Sequence, residues 1–247
     1  MRDINRISYE IYYRLLVALL TKFNLHNQKV HKLVRLPKIE DDLFQLRCFI
    51  EKGYICIDVG ANVGMYTVML SKLCRKNGAV LSFEPDPHVF HYLSKIVRNG
   101  TKGLSNVQLF QMAVGNHVDN VSLIYTYEKS GRISDPLRRI GEGYGDVKMT
   151  SLDAIVKDLA LPRVDFIKID VENYELNVLK GSLDILKQYH PIILIEVDNT
   201  WLARYNCSYE DILSFLGSLG YEQVVLDQCS FRIISKELGN VYFKWFE

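Results

Sequence analysis

Two carboxylates stand at the end of a short apolar run in the segment KIDVENYEL, residues 168–176. The run begins at Phe166 and ends at Asp170, and Glu172 follows two residues later. Burial of a carboxylate is costly unless the group is paired or hydrogen-bonded, so this placement suggests a chemical use. A carboxylate in a dry site has a raised pKa and can act as a general base. The alternative is that Glu172 accepts amide protons at the start of the following helix, and both interpretations stay open.

A second pair of acids flanks a glycine loop. Asp58 precedes the loop Gly60-Ala-Asn62-Val-Gly64, and Glu84 follows the next apolar run. Glycine permits a sharp turn and the close approach of a ligand, but the spacing is not the GxGxxG of dinucleotide sites. Asp58 suits a cationic ligand better than a phosphate, and Glu84 is placed to accept hydrogen bonds from ribose hydroxyls. The pattern predicts a nucleoside ligand with a positive centre, which S-adenosylmethionine fits.

Strand-like and helix-like runs alternate around these acids. This alternation predicts βαβ units and a parallel sheet, whose ligands lie beyond the carboxyl ends of the strands. Asp58, Glu84 and Asp170 are therefore expected to share one cleft. The strand-like runs are Tyr54–Val59, Ala79–Phe83, Val107–Val114, Phe166–Val171, Ile192–Val197, Gln223–Leu226 and Val241–Phe246, and the helix-like runs are Met65–Cys74, Pro87–Asn99 and Tyr174–Lys180.

A polar, glycine-rich stretch over residues 128–146 separates the strand-like runs Val121–Tyr127 and Val147–Ser151. Loops of this length are usually functional or mobile. One interpretation is a solvated charged loop. The other is a lid that closes over an acceptor and contacts anionic groups, which arginine suits. The arginines concerned are Arg132, Arg138 and Arg139.

Length and composition are those of one α/β domain. The chain has 247 residues, of which 48% are hydrophobic and 24% charged, and its formal net charge is +1. This balance predicts no nucleic-acid partner. His88 and His91 lack an evident third ligand, so no metal site is predicted. The five cysteines are odd in number and contain no CxxC pair, which predicts free thiols in a reducing, cytoplasmic compartment.

Residues 1–50 are predicted to form a helical extension that precedes a catalytic domain over residues 51–247. Apolar residues recur there at helical spacing, and basic residues outnumber acidic ones over residues 1–40. The favoured interpretation is a helix that packs on the domain or at a homodimer contact. The alternative is a basic amphipathic helix on an anionic membrane surface. The run Ile11–Leu20 is shorter than the roughly 20 apolar residues of a membrane span.

Four segments resemble, in this order, the FkbM family of S-adenosylmethionine-dependent methyltransferases. They are IDVGANVGMYTVMLSK, GAVLSFEPDPHVFHYLSKIVRNG, NVQLFQMAVGN and MTSLDAIV…VDFIKIDVENYELNVLKGSLDIL…PIILIEV, and they extend roughly from Tyr54 to Asp198. The resemblance implies a class I methyltransferase (Rossmann-like) α/β fold. Its sheet is seven-stranded and mostly parallel with the last strand antiparallel, and helices cover both faces. Family members commonly methylate sugar hydroxyls of glycans or polyketide hydroxyls.

The resemblance also implies roles for particular residues. Asp58 and the glycine loop fall on the cofactor loop, Glu84 on the ribose-binding acid, and Met112 and Ala113 on the adenine site. Asp170 is expected to hold the amino-acid end of the cofactor or to orient its neighbours. The predicted cofactor site comprises Asp58, Gly60, Asn62, Gly64, Tyr66, Glu84, Pro85, Met112, Ala113 and Asp170.

The predicted catalytic residues are Glu172, Asp170 and Lys168. Asp170 and Glu172 are the candidates for the general base, and Glu172 is favoured as the base or as the group that orients the acceptor. Lys168 lies on the same side of its strand as Asp170, so an ion pair between them is expected to be available. Where the family usually reads KIDVEG, this chain has Asn173 in the glycine position. Asparagine tolerates a left-handed backbone, so the turn is expected to survive, although a substrate contact there could differ.

These inferences predict an O-methyltransferase that acts on a hydroxyl of a saccharide or glycan precursor. Two alternatives remain. One is a methyltransferase of a polyketide or another small-molecule hydroxyl or amine, and the other is a nucleoside-binding scaffold without catalytic activity.

Overall fold

The computed structural model describes residues 43, 45–126, 137–141, 145–197, 208–227, 229–234 and 239–246. The predicted helix in residues 1–42, with its packing and membrane interpretations, lies outside the described residues, as does Arg132. The end of the predicted extension packs on the domain, because Leu43, Leu46 and Ile50 are buried in the same core cluster as Cys56. Within the described part of the chain, no helix is long and apolar enough to cross a membrane.

Twelve strands and six α-helices make up the described structure, together with a short 3-10 helix, Leu46–Cys48. The strands are β1 Ile55–Val59, β2 Ala79–Phe83, β3 Val107–Phe110, β4 Ala113–Val114, β5 Asp119–Thr126, β6 Leu137–Gly141, β7 Val147–Thr150, β8 Phe166–Ile169, β9 Ile192–Val197, β10 Tyr221–Asp227, β11 Ser230–Ile233 and β12 Gly239–Trp245. The helices are α1 Met65–Cys74, α2 Pro87–Gly100, α3 Leu152–Asp158, α4 Glu175–Lys180, α5 Leu183–Tyr189 and α6 Tyr209–Ser218.

The main sheet has eight strands in the order β11-β10-β12-β9-β8-β1-β2-β3. Strands β3, β2, β1, β8 and β9 are parallel, whereas β12 runs antiparallel to both β9 and β10. The predicted class I fold, mostly parallel with the last strand reversed, is confirmed. The strand count differs, because β11 adds an antiparallel edge strand to β10 that sequence reasoning did not expect.

Helices cover both faces of this sheet, as expected for parallel strands that are buried throughout. Ile57 belongs to the core cluster that includes side chains of α3 to α6, and its neighbour Cys56 to the cluster of α1 and α2. The start of α2 is set by its sequence. Asp86 accepts hydrogen bonds from the amides of His88 and Val89, and Pro87 occupies the first helical position.

A second, four-stranded sheet has the order β4-β7-β5-β6. It corrects two predictions. The run Val107–Val114 is not one strand, since Val107–Phe110 pairs in the main sheet while Ala113–Val114 pairs with β7. The predicted loop over residues 128–146 contains β6, which pairs with β5. The sequence conceals β6 because its stability comes from pairing with β5 rather than from an apolar alternation of its own.

The prediction that all five cysteines are free thiols is wrong for two of them. Cys48 and Cys229 form a disulfide that joins the short 3-10 helix to the turn between β10 and β11. The two residues are 181 positions apart, so only the fold brings them together. Cys56 and Cys74 are free and buried, with their sulfur atoms 3.4 Å apart. Cys207 lies outside the described residues.

Loss of the disulfide should destabilise the protein. We expect Cys48→Ser to lower the free energy of unfolding by about 2–4 kcal/mol, because the bond restricts the unfolded chain. Denaturant unfolding of both proteins would measure this, with peptide mapping without reductant to detect the linked peptides. In the presence of reductant the difference should disappear. An equal stability of the two oxidised proteins would contradict the assignment.

Candidate active site

An open cleft lies at the carboxyl ends of β1, β2 and β8. This is the edge at which open parallel sheets bind ligands. The second sheet closes the cleft on one side, with Leu123 of β5 and Ile140 of β6 in its wall. The predicted site residues that line the cleft are Gly60, Asn62, Glu84, Pro85, Met112, Ala113, Asp170 and Glu172.

The glycine loop is packed tightly against the end of β8. The amides of Gly60 and Ala61 donate to the carbonyl of Phe83, which ties the loop to β2. Gly60 has a φ of +78°, and a Cβ built on it would lie 1.7 Å from the carbonyl oxygen of Asp170. Only glycine therefore fits here, on grounds of both backbone conformation and space.

Glu84 connects the glycine loop to the start of α2. Its side chain is nearly buried, with 4% exposed. Oε2 accepts a hydrogen bond from the amide of Asn62 at 3.0 Å, and Oε1 accepts one from the amide of Asp86 at 2.9 Å. Both oxygens of Glu84 thus hold backbone amides beside the end of β2, and the side chain lines the cleft.

Asp58 lies behind the cleft lining. It is fully buried, and its Oδ2 accepts a hydrogen bond from the Thr67 hydroxyl at 2.6 Å. In the described part of the chain, its Oδ1 has no hydrogen-bond partner. Burial raises the pKa of Asp58, although the charge of Lys168 and the Thr67 hydrogen bond act in the opposite direction. A direct contact of Asp58 with a cofactor stays a prediction.

Gly64 and Tyr66 also lie outside the cleft lining. Gly64 precedes α1 with a φ of +92°, and a Cβ there would meet Leu93 of α2 at 2.6 Å. The ring of Tyr66 faces the Nζ of Lys168, 4.5 Å from the ring centroid. Gly64 and Tyr66 therefore do not line the cavity, and a direct contact of either residue with the cofactor stays a prediction.

Lys168 and Asp170 form the ion pair that strand alternation allowed. Nζ of Lys168 lies 2.8 Å from Oδ2 of Asp170, and the two side chains are 4% and 30% exposed. Burial alone would raise the pKa of Asp170. The charge of Lys168 and hydrogen bonds with Glu196 and Lys168 outweigh burial and lower this pKa. Asp170 is therefore held as a carboxylate at the rim of the cleft.

The turn after β8 has an unusual backbone. Glu172 and Asn173 have φ values of +54° and +83°, so two successive residues other than glycine are left-handed. The turn expected at Asn173 is thus present. Glu172 lies in the cleft wall beside Asp170 and Tyr174.

Glu175 is a site residue that sequence reasoning missed. Its Oε1 accepts hydrogen bonds from the amides of Val171 at 3.3 Å and Asn173 at 3.0 Å. Only 2% of the residue is exposed. Burial raises the pKa of Glu175 to about 7 against the effect of these amides, and the charge of Asp170 raises it further. The available signal was a third acid in the same short segment, KIDVENYEL.

Part of the cleft lining is apolar. Leu123 and Ile140 are cross-strand partners in the β5–β6 hairpin, and both line the cleft. Tyr174 and Met112 extend this surface. The predicted contacts of Arg138 and Arg139 with an acceptor stay predictions, and both residues belong to β6.

A family model described as the methyltransferase FkbM domain matches residues 58–223. The chain belongs to the FkbM methyltransferase family. This membership confirms the resemblance drawn from the sequence segments. It also confirms the enzyme class, a methyltransferase that depends on S-adenosylmethionine.

Two methyltransferases illustrate the range of the similarity. The hexuronic acid methyltransferase AglP of Haloferax volcanii is 24% identical over 171 residues, which cover 68% of this chain and 67% of AglP. Methyltransferase sdnD of Sordaria araneosa is 25% identical over 196 residues, which cover 66% of this chain and 74% of sdnD.

Among solved structures, methyltransferase FkbM of Methylobacillus flagellatus superimposes with a TM-score of 0.52 at 17% identity. The match covers 78% of this chain but only 44% of that protein. At this identity, the likeness shows the fold alone.

Removal of the Glu84 carboxylate should weaken cofactor binding. In Glu84→Ala the amides of Asn62 and Asp86 lose their acceptor, so we expect the affinity for S-adenosylmethionine to fall by about tenfold or more. Isothermal titration calorimetry would measure this. Glu222→Ala, which removes an exposed acid of β10, is the control. Unchanged affinity in Glu84→Ala would rule out its role in the cofactor site.

The raised pKa of Glu175 predicts a pH-dependent stability. Its pKa is 4.5 in the unfolded chain and about 7 in the fold, so the folded state binds more protons between these values. The stability contributed by Glu175 is therefore highest below pH 4.5 and falls by about 3 kcal/mol as the pH rises to 7.

Glu175→Gln should abolish this dependence. We expect the free energy of unfolding of Glu175→Gln, relative to that of the wild type, to rise between pH 5 and pH 7.5. Urea denaturation at both pH values would measure it. Parallel pH profiles of the two proteins would show that Glu175 does not titrate in this range.

Proposed function

We propose that this FkbM-family chain transfers the methyl group of S-adenosylmethionine to a hydroxyl of a saccharide or glycan precursor. The observation that carries this proposal is the shared cleft. It unites the glycine loop, Glu84 and a fixed carboxylate at Asp170 with a second acid, Glu172. The similarity to a hexuronic acid methyltransferase supports a sugar acceptor.

The residues of the cleft fit the cofactor. The glycine loop contributes Gly60 and Asn62 to the cleft lining, next to Glu84. Glu84 lines the cleft, and its carboxylate is the acceptor that we propose for ribose hydroxyls. Asp170, held ionised by Lys168, suits the positive amino-acid end. When bound, S-adenosylmethionine supplies a methyl group activated by its sulfonium.

Glu172 is the group that we propose as general base. The hydroxyl of an acceptor must lose its proton as its oxygen bonds to carbon, and a carboxylate within hydrogen-bond reach can take it. The lowered pKa of Asp170 makes that carboxylate a weak base, so we prefer Glu172 for this role. The cleft walls hold the acceptor in place, and such positioning accounts for a large part of the rate of a displacement.

A second candidate acceptor is a less polar hydroxyl compound, such as a polyketide. The observation that favours it is the apolar wall formed by Leu123, Ile140 and Tyr174. An apolar surface of this kind gains free energy by covering hydrocarbon rather than hydroxyl-rich rings.

Glu172→Gln should slow methyl transfer without weakening cofactor binding. The amide keeps the shape of the side chain but cannot take a proton, so we expect kcat to fall by about 100-fold or more. Transfer of labelled methyl groups and calorimetry with S-adenosylmethionine would measure the two properties. Glu222→Gln is the matched control at an exposed position. A wild-type rate in Glu172→Gln would exclude the base role.

The acceptor class can be tested with the same label. Wild-type protein would be incubated with uronic acid saccharides, neutral saccharides and apolar hydroxyl compounds. We expect transfer to the saccharides. Transfer to the apolar compounds alone would favour the second candidate, and cofactor binding without transfer would indicate a scaffold.

A further inference from the structure

The backbone conformation of the turn that carries Glu172 is not one that its own residues favour. Left-handed φ values at two successive residues other than glycine are energetically unfavourable, and surrounding contacts must hold such a backbone. The turn also forms part of the cleft wall from Asp170 to Tyr174. Its conformation therefore decides where the carboxylate of Glu172 lies.

A single buried oxygen atom, Oε1 of Glu175, holds this turn through two hydrogen bonds. Oε1 of Glu175 accepts the amide hydrogens of Val171 and Asn173, the two residues that flank Glu172. Both amides are thereby directed away from the cleft, and the residue between them is held from either side. Glu175 itself does not line the cleft.

Glu175 belongs to a helix that is anchored in the hydrophobic core. It is the first residue of α4, and Val178 and Leu179 of the same helix are fully buried in the core. Among the described residues, the second oxygen, Oε2, has no hydrogen-bond partner. The carboxyl group is thus committed to the two amides of the turn.

We propose that Glu175 is a positioning residue that orients Glu172 toward the acceptor hydroxyl. This inference rests on the proposed function, because it assigns to Glu175 an effect on methyl transfer through Glu172. The competing explanation is that Glu175 contributes to folding alone. A positioning role predicts that loss of Glu175 lowers the rate of methyl transfer per folded, cofactor-occupied site. A role in folding alone predicts that this rate is unchanged.

The chain offers a matched control for a role in folding. The carboxylate of Asp153 also accepts hydrogen bonds from two backbone amides, that of Asp184 to Oδ2 at 3.1 Å and that of Ile185 to Oδ1 at 3.0 Å. Asp153 is not part of the cleft lining. Asp153→Ala therefore removes a carboxylate that binds two backbone amides at a position outside the cleft.

The test compares Glu175→Ala, Glu175→Gln and Asp153→Ala, with rates normalised to the number of cofactor-occupied sites. We expect Glu175→Ala to lower kcat by about tenfold or more, since small displacements of a catalytic group are costly. Glu175→Gln keeps an acceptor oxygen, so its kcat should return to within about threefold of wild type. Asp153→Ala should match the wild type.

Hydrogen exchange provides a readout that needs no acceptor. Peptides that cover residues 168–176 should exchange faster in Glu175→Ala than in the wild type or in Glu175→Gln. Unchanged exchange would overturn the proposed contact with the turn. If Glu175→Ala fails to fold, Glu175→Asp, which withdraws the carboxylate by one methylene, replaces it.

A double-mutant cycle identifies the residue through which Glu175 acts. In a Glu172→Gln background, Glu175→Ala should cause little further loss of rate, because the group that it positions is already inactive. Full additivity, or an unchanged rate per occupied site in Glu175→Ala, would overturn the positioning role alone. A wild-type protein that methylates no acceptor would overturn the proposed function and this role with it.

Discussion

The contact between Gly60 and the carbonyl of Asp170 is the constraint on which the site depends. It brings the loop after β1 against the end of β8, and no side chain could stand between them. Because β1 and β8 are neighbours in the sheet, this contact places the glycine loop and the acidic turn in one cleft. Glu84 then joins the loop to the end of β2 and the start of α2 through two backbone amides. The ends of β1, β2 and β8 thus contact one another directly and form the cleft.

The acids of this cleft differ because their surroundings differ. Asp170 has the Lys168 ammonium at 2.8 Å, and its pKa is lowered despite burial. The carboxyl group of Glu175 accepts hydrogen bonds from two neutral backbone amides, and burial raises its pKa to about 7. Two carboxyl groups five residues apart are thereby suited to different tasks. One holds a permanent negative charge at the rim, and the other supports the turn that carries Glu172.

Much of the fold was predictable because its signals are local. Helix α1 and strands β2 and β9 have the predicted bounds, since each is a continuous apolar or periodic run between clear breaks. Helices α3, α5 and α6 were missed. The predicted strand Val107–Val114 was wrong because apolar residues do not reveal which sheet they join.

The sequence by itself determined the family, the parallel sheet and the acids at the strand ends, because motif spacing and hydrophobic patterns are properties of contiguous residues. Only the tertiary structure decided which of these acids faces the cavity. Asp58 lies behind the wall, Glu172 lies in it, and Glu175 supports it from below. The same holds for the Cys48–Cys229 disulfide, whose residues are 181 positions apart. The reason is physical: burial, the partner of a carboxylate and the pairing of two thiols depend on residues that are distant in the chain and meet only when it folds.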